Sequence, residues 1–450
     1  MTTVAEHQEA VRALLAPLAA RAHALPERID LPSAHDRPPL GASSLAGSVS
    51  ALLDRVLAND LVSPIDHPPF DNSQMDGYAV RSTEIVASRD VPVGPMIAAG
   101  HPIAALAAGT VSPIMTGAAM PAGADAVIPI EHATPDTFPA EGDALAAVRF
   151  ATPPSPGAFV RERGSDLRAG AVLLPAGTRF GAAQCAVIAA SGITSVEVVR
   201  RTRVLVISTG DELQMTGSAL DHGRIYDANA ASMAASVVGA GAEVVAVRSV
   251  TDDATELARI LAVDAPLCDL VLTTGGVSAG AFEVVRDVFA PAGVAFGSVA
   301  MQPGGPQGLG LASIALAEGA VAGSAVVAGV TSGATSSATI DRPVIALPGN
   351  PVSALVSFEM FVRPALRAMH GLSVHRPSQR APLAVAVDSP EHKHQVRRGV
   401  LADDGTVHLV GGPSSHLLHS YASSSHLVHI PAGVSHLAAG DTVEIWSIHD

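Results

Sequence analysis

The sequence predicts a multidomain fold of mixed class, α/β plus β, and three observations carry that expectation. From Arg203 to Met369, β-branched runs alternate with helical patterns. From Leu61 to Thr152, short apolar runs are broken by Pro and Gly at intervals of roughly 8–12 residues, as in short strands joined by tight turns. Beyond Gly371, alternating segments such as APLAVAVDS, TVHLVGG, SHLVHIP and DTVEIW read as a small β-barrel or sandwich. A length of 450 residues gives room for about three cores at roughly 150 residues each.

The elements follow in chain order. An amphipathic helix spans 4–22, with Val11, Leu14, Leu15 and Leu18 on one stripe. After a Pro-rich break at 31–40, a second helix spans 44–58, with Leu45, Val49, Leu52, Leu53 and Val56 at helical spacing. The β-rich segment comes next, then 153–200, where PPSPG and AVLLPAGT precede a helical stretch at 182–190. VLVIS (204–208), EVVAVRSV (243–250), DLVLTT (269–274) and PVIALPG (343–349) read as strands; 228–239, 254–262, 281–289 and 351–369 read as helices. Such alternation predicts a parallel sheet with helices on both faces.

Composition narrows the function. The chain carries 27 basic and 42 acidic side chains, a net −15, and Lys393 is its only lysine. Without a basic run it is a poor nucleic-acid binder, because neutralising phosphates needs clustered cations. A small anion can still be held by backbone N–H groups and a few arginines. Cys185 and Cys268 lie far apart and form no CxxC pair, so they read as packed thiols in a reducing compartment. The N-terminus lacks a signal-peptide pattern. The most lipid-like stretch, 319–330, has twelve residues, short of the ~20 that cross a bilayer. The chain therefore reads as soluble and cytoplasmic, with neither nucleic acid nor membrane as a partner.

Three predicted strands run straight into polar, glycine-containing turns: Ser208-Thr209-Gly210-Asp211-Glu212, Thr274-Gly275-Gly276-Val277-Ser278 and Leu347-Pro348-Gly349-Asn350-Pro351. These are either sharp turns and caps or, taken together, a ligand edge, since open parallel sheets bind ligands at the carboxyl ends of their strands. Gly275 and Gly276 allow backbone N–H groups to approach a phosphate, and Ser278 adds a hydroxyl. Asn350 and Pro351 suit an N-cap and first helical position. Asp211, Glu212, Asp227, Asp252, Asp253 and Glu283 gather near the same edge. Mg²⁺ takes one or two carboxylates plus ligand phosphate oxygens, so such a rim suits a metal–phosphate site. Helix capping is the competing reading for Asp252 and Asp253. Neither a Walker A lysine motif nor G-x-G-x-x-G is present, which argues against nucleotide hydrolysis and dinucleotide redox chemistry. His416, His419, His426 and His429 alternate with apolar residues and read as surface strand histidines rather than zinc ligands. Two further polar stretches stand out, 68–81 and 114–125.

Those stretches carry a resemblance. PPFDNSQMDGYAVR (68–81), IMTGAAMPAGADAVIPIE (114–131), STGDEL (208–213), IYDAN (225–229), TTGGVSAG (273–280) and LPGNPVSAL (347–355) occur in this order, with RRGVL and SSHLLHSYA behind them. From about Ser44 to its end the chain resembles the molybdopterin molybdenumtransferase family (MoeA and the gephyrin E domain). The resemblance implies an elongated homodimer of four-domain subunits. Residues 1–60 with 153–200 would form a discontinuous domain, 61–152 a β-rich inserted domain, 201–370 a molybdopterin-binding parallel α/β domain, and 371–450 a C-terminal β-barrel. It also implies the reaction: molybdate is inserted into adenylylated molybdopterin, with Mg²⁺, releasing AMP and molybdenum cofactor. The cleft would lie between the α/β domain of one subunit and the β-rich domain of the other, with a molybdopterin adenylyltransferase as a functional partner. Asp76 and Thr116 would line it from the β-rich side. Ser208, Thr209, Asp211, Glu212, Asp252, Gly275, Gly276, Ser278 and Glu283 would line it from the α/β side. Glu212, Asp252 and Glu283 would hold Mg²⁺ or orient water, and Arg286, Pro348, Gly349 and Asn350 would bind the ligand.

The chain departs from the family in three places. Glu283 stands where an Asp is common. MQPGGP (301–306) stands where many relatives read KPGKP, so Gln302 and Gly305 replace lysines, with Ser298 at a further basic position. Arg286, Arg81 and Arg397 are candidate replacements. The Ala/Gly/Ser-rich stretch 311–340 is longer than the family's strand pair. The alternatives to insertion are adenylylation of molybdopterin and a dimeric scaffold with weakened catalysis.

Overall fold

The computed structural model of the chain describes residues 1–31, 44–101, 104–138, 147–278, 283–317 and 338–449. The chain folds as two compact units: Met1–Arg28, Asp54–Ala58 and Glu197–Asp450 in one, Ile29–Leu53 and Asn59–Val196 in the other. The Pro-rich break at 32–40, the start of the helix expected from 281, and most of the Ala/Gly/Ser-rich stretch (318–337) lie outside the described residues.

In the first unit, α1 (Val4–Ala24) begins behind Thr3. The Glu6 N–H donates to the Thr3 hydroxyl at 3.2 Å and the Thr3 N–H donates to the Glu6 carboxylate at 2.8 Å. That reciprocal cap satisfies two donors the first turn would otherwise leave open. Val11 and Leu15, on the expected stripe, are buried.

The second unit contains α2 (Ser44–Leu52), which stops short of Ala58 because Asp54 adopts left-handed backbone (φ 63°). In it, β1 (Gly77–Val80) lies between β2 (Ser112–Ile114) and β3 (Ala126–Pro129) in an antiparallel sheet. Tyr78, Val80, Ile128, Val148 and Phe150 form its core. Helix α3 (Ala182–Ala190) occupies the expected residues.

The rest of the first unit is built on β4 (Arg203–Thr209), α4 (Ala228–Gly239), β5 (Glu243–Val250), α5 (Ala254–Asp264), β6 (Leu270–Thr274), α6 (Val284–Phe289), β7 (Val294–Ser298), β8 (Pro306–Ala315) and β9 (Thr339–Leu347). The six strands form one sheet in the order β5-β4-β6-β9-β8-β7. Val204, Val206, Leu270, Leu272, Ile345 and Leu347 pack into one core; Leu205, Ile207, Val271, Val344 and Ala346 pack into the other. Both faces are covered, which is why these strands read as continuous apolar runs. The expectation of a parallel sheet needs correction. β5, β4, β6 and β9 pair in parallel, but β8 is antiparallel to both β9 and β7, so the sheet is mixed. Antiparallel neighbours do not need the helical crossover that parallel ones require. After β9, α7 (Pro351–Ser357) continues through a π-helical turn (Phe358–Val362) into α8 (Arg363–Met369).

The C-terminal strands β10 (Ser378–Pro382), β11 (His394–Leu401), β12 (Val407–Leu409), β13 (His426–Ile430) and β14 (Thr442–Ser447) pair in the order β11-β13-β14-β10, with β12 also on β11. Met301–Gln302 adds an edge strand parallel to β11. A single bridge, Leu383 to Val407, links the two sides. Among the described residues this is one bridge rather than a ladder, so the strands are described as a sheet whose edges meet at that bridge. No helix among them is long and apolar enough to cross a membrane.

Candidate functional site

The carboxyl ends of β4, β6 and β9 carry their three turns to one edge, where they line a cavity of ≈ 730 Å³. Gly275 (φ +91°) and Gly276 (φ +59°) form its floor. A Cβ on Gly275 would lie 2.6 Å from the Thr209 carbonyl oxygen, and one on Gly276 would lie 2.8 Å from the Val285 nitrogen. Both positions therefore admit only glycine. The Gly275 N–H donates to the Leu347 carbonyl and the Arg286 N–H to the Gly276 carbonyl, each at 3.1 Å. Gly349 packs so closely that its Cβ would sit 3.2 Å from Gly275 Cα. Bare backbone thus faces the cavity, with Pro348, Gly349 and Asn350 on the neighbouring wall.

Several predicted ligand contacts have other partners. Ser208 is fully buried and does not line the cavity. Its hydroxyl donates to Asp227, as does that of Ser249, and the Ala230 N–H reaches the same carboxylate at 2.9 Å. The strand-end position expected to face ligand instead anchors the cap of α4. Thr209 lines the cavity while its hydroxyl donates to the Thr274 carbonyl at 3.4 Å. Ser278 also lines it, but its N–H (2.9 Å) and its hydroxyl both donate to Glu283. A side-chain carboxylate therefore occupies the donors expected to cradle phosphate.

The acidic rim is present. Glu212, Asp252 and Glu283 all line the cavity, with the Glu212 carboxylate folded against Gly210. Burial pushes the Asp252 carboxyl above its ordinary range, and the nearby charges of Asp211, Glu212 and Glu283 push the same way. Asp211 stays outside the cavity and accepts from the Asp252 N–H at 3.0 Å, while Asp253 caps α5 through the Thr255 N–H at 2.8 Å. Arg286 braces the turn from behind, donating to the Ser278 carbonyl at 3.4 Å and covering the Phe296 ring at 5.8 Å. Arg397 is buried and donates to the Gly411 carbonyl at 3.0 Å. None of these arginines lines the cavity.

In the other unit, Asp76 and Thr116 stand together. The Thr116 N–H (2.6 Å) and hydroxyl (2.8 Å) both donate to the Asp76 carboxylate, holding its pKa below the ordinary range. Arg81 there pairs with Glu84 and donates to the Gly123 carbonyl at 3.0 Å.

Asn229 and Lys393 are among the cavity residues not expected from the sequence. Asn229 donates to the Gly349 carbonyl at 2.6 Å, and its own amide oxygen is buried without a partner among the described residues. Lys393 also lines the cavity; being the only lysine was the signal that could have singled it out. The histidines need correction: His429 is buried, 3.0 Å from His394 and stacked on Trp446 at 4.0 Å, and His416 and His419 lie outside strands. Cys268 is buried with its thiol pKa raised to about 11 by burial, while Cys185 is half-buried.

Comparison with known proteins follows the same division. Residues 2–192 match the MoeA N-terminal region (domain I and II), 205–368 a probable molybdopterin binding domain, and 380–448 the MoeA C-terminal region (domain IV). A Mycobacterium tuberculosis protein named molybdopterin molybdenumtransferase 2 is 41% identical over 411 residues, covering 87% of this chain and 92% of that protein. A Nostoc molybdopterin molybdenumtransferase is 34% identical, covering 80% and 76%. The crystal structure of a molybdopterin biosynthesis MoeA protein from Pyrococcus horikosii superposes with a TM-score of 0.71 at 26% identity, covering 97% of this chain and 99% of that one. The shared multidomain fold, the three matched regions and the identity across most of both chains place this chain in the molybdopterin molybdenumtransferase family.

Proposed function

We propose that the chain is a molybdopterin molybdotransferase that inserts molybdate into adenylylated molybdopterin and releases AMP and molybdenum cofactor. The observation that carries this reading is the cavity, where a side-chain-free glycine floor meets a carboxylate rim in a chain of this family. The bond to be broken joins two phosphoryl groups. Gly276 and the 348–350 turn would bind and orient them through backbone groups, Gly275 would leave room for their close approach, and Thr209 would close that wall. Glu212 or Asp252 would orient the attacking water and take its proton. Asp252 suits the second task, because its raised pKa brings it closer to neutral pH.

The rim also fits Mg²⁺. Among the described residues no three ligating side chains form a ready cage, as suits a cation that takes one or two carboxylates and completes its shell with ligand oxygens and water. Glu212, Asp252 and Glu283 would hold it, and when bound it would neutralise charge on the phosphoryl oxygens. The reading includes the four-domain division, a closed C-terminal barrel, a cytoplasmic location and a homodimer in which Asp76 and Thr116 complete the partner's cleft. It also includes handover of substrate from an adenylyltransferase. Purified protein given adenylylated molybdopterin, molybdate and Mg²⁺ should release AMP and active cofactor. No release, with an active relative in parallel, would sink the reading, and ATP consumption without a molybdate requirement would replace it with adenylylation.

A further inference from the structure

His394 and His429 form a pair that plays no part in the proposed reaction. By strand alternation they share the face of the C-terminal sheet on which Val396, Leu427 and Trp446 pack into the first unit's core. Nε2 of His394 lies 3.0 Å from Nδ1 of His429, and the His429 ring stacks on Trp446 with centroids 4.0 Å apart. His429 is 4% exposed, and its Nε2 has no hydrogen-bond partner among the described residues. The bond between the rings holds one hydrogen, so the accepting imidazole must be neutral. When both rings are protonated, the facing nitrogens both carry N–H and the bond is lost. The buried His429 Nε2–H then lacks an acceptor as well.

The surrounding charges do little to hold a second proton. Glu444 lies opposite His429 in the β13–β14 register and accepts from the Trp446 indole N–H at 2.7 Å; its charge acts on His394. On β11, Arg398 donates to the Gly412 carbonyl. Trp446 and Glu444 also line a small cavity with Arg12, Glu359, Arg363, His375 and Arg376, where Glu359 pairs with both Arg363 and Arg376. The Met301–Gln302 edge strand brings no titratable side chain. Burial holds the His429 imidazole down to about 3 and that of His394 below its ordinary value.

What stands beside the pair is a wall of the cavity. The His394 N–H donates to the Ala300 carbonyl at 2.9 Å, Met301–Gln302 pairs with His394–Gln395, and the Gln395 amide donates to the Gln302 amide oxygen at 2.8 Å. Residues 301–306 line the cavity.

We propose that the His394–His429 pair is an acid-sensitive latch. It keeps the Met301–Gln302 edge strand, and with it the 301–306 wall, on the C-terminal sheet, and it releases them when both rings take a proton. The latch does not rest on the functional reading, and its test uses no substrate. Rings freed by opening titrate near the ordinary 6.5 and closed rings below it, so the closed state loses stability as pH falls from 6.5 towards about 3. Between pH 7.5 and 5.5, opening should become roughly tenfold more frequent for each ring that titrates on release.

Hydrogen exchange of peptides covering 299–303 and 393–396 in the full-length protein, corrected for the chemical pH dependence of exchange, should accelerate by that factor. Peptides from β4 and β6 should keep their protection. Trp446 is the only tryptophan, so its emission should change over the same pH range. The double variant His394→Gln/His429→Asn puts amides where the facing nitrogens stand and removes both titrations. It should exchange as wild type does at pH 7.5 and show no acid step. Unchanged protection of 299–303 down to pH 5.5 overturns the latch, and so does an acid step that persists in the variant. Simultaneous loss of protection throughout the unit also overturns it, because a latch opens locally. Should the variant not fold, imidazole NMR of wild type decides. Rings that titrate near pH 6.5 while 299–303 stays protected refute the latch, and rings that titrate in step with the exchange support it.

Discussion

Ser208→Ala tests whether the strand-end serine meets ligand or holds the scaffold. Its hydroxyl is one of three donors to the buried Asp227 carboxylate, beside Ser249 and the Ala230 N–H. A hydrogen bond to a charged acceptor is worth about 1.5–3 kcal/mol. Two donors remain after the substitution, so the loss should be about 1–2 kcal/mol, localised to α4 and the end of β4. Asp227→Ala should cost more. It removes the helix cap, about 1 kcal/mol. It also leaves the buried Ser208 hydroxyl with only the half-buried Ser249 hydroxyl, 3.3 Å away, as a partner, about 1–3 kcal/mol further. Hydrogen exchange of the α4 amides is the assay, because it reads local opening. Ser208→Ala should speed it roughly 5- to 30-fold and Asp227→Ala further, with KM for the adenylylated ligand in Ser208→Ala within about threefold of wild type. Unchanged α4 exchange with KM raised tenfold would show that the hydroxyl contacts ligand and that the scaffold role is mistaken.

Glu283→Ala frees the Ser278 N–H and hydroxyl, so AMP should bind more tightly without Mg²⁺ while Mg²⁺-dependent turnover falls; calorimetry and AMP release check the two halves. Asp252→Asn should raise the melting temperature of the ligand-free protein at pH 7.5. A carboxyl whose folded pKa is raised contributes stability below its unfolded pKa and loses it as pH rises through the folded one, so the advantage of the variant should fade in acid. Added Mg²⁺ should stabilise wild type more than Asp252→Asn. Thr116→Val should bring the Asp76 pKa back toward the ordinary range, read by carboxyl NMR, and lower kcat/KM roughly tenfold. Glu359→Ala leaves buried Arg363 and half-buried Arg376 without their carboxylate, now at 3.8 and 2.9 Å. It should cost about 3–5 kcal/mol in denaturant unfolding without altering AMP affinity.

What was legible in the sequence is what depends on local pattern. The strand at 243–250 and the helices at 182–190 and 228–239 appear with the expected bounds, because period and flanking glycines decide them locally. The reversed direction of β8 was not legible. Periodicity is the same for either direction, and the antiparallel register is set by which strand edges pair. Whether the C-terminal strands close is likewise a question of which edges pair, which periodicity does not carry. The end of α2 was missed because an Asp in left-handed backbone breaks a helix that its apolar spacing would extend.

The site divides along the same line. Glycines can be read from sequence because the backbone conformation they permit is intrinsic to them, and Gly275 and Gly276 do take positive φ. A hydroxyl or carboxylate cannot be read that way, since its role depends on which partner reaches it first. Ser208 is taken by Asp227, and Ser278 by Glu283. Arginines suggested as replacement cations are likewise held by the fold: Arg286 by a carbonyl and a ring, Arg397 by a carbonyl, Arg81 by Glu84. In each case adjacency along the chain proposed a ligand contact, and a nearer protein partner claimed the group. Lys393 is the converse. It lies outside the turns that mark the ligand edge and reaches the cavity only through pairing between Met301–Gln302 and β11. The one lysine of the chain is thus brought to the cavity by tertiary structure, whereas the turns that mark the edge in sequence bring carboxylates to it.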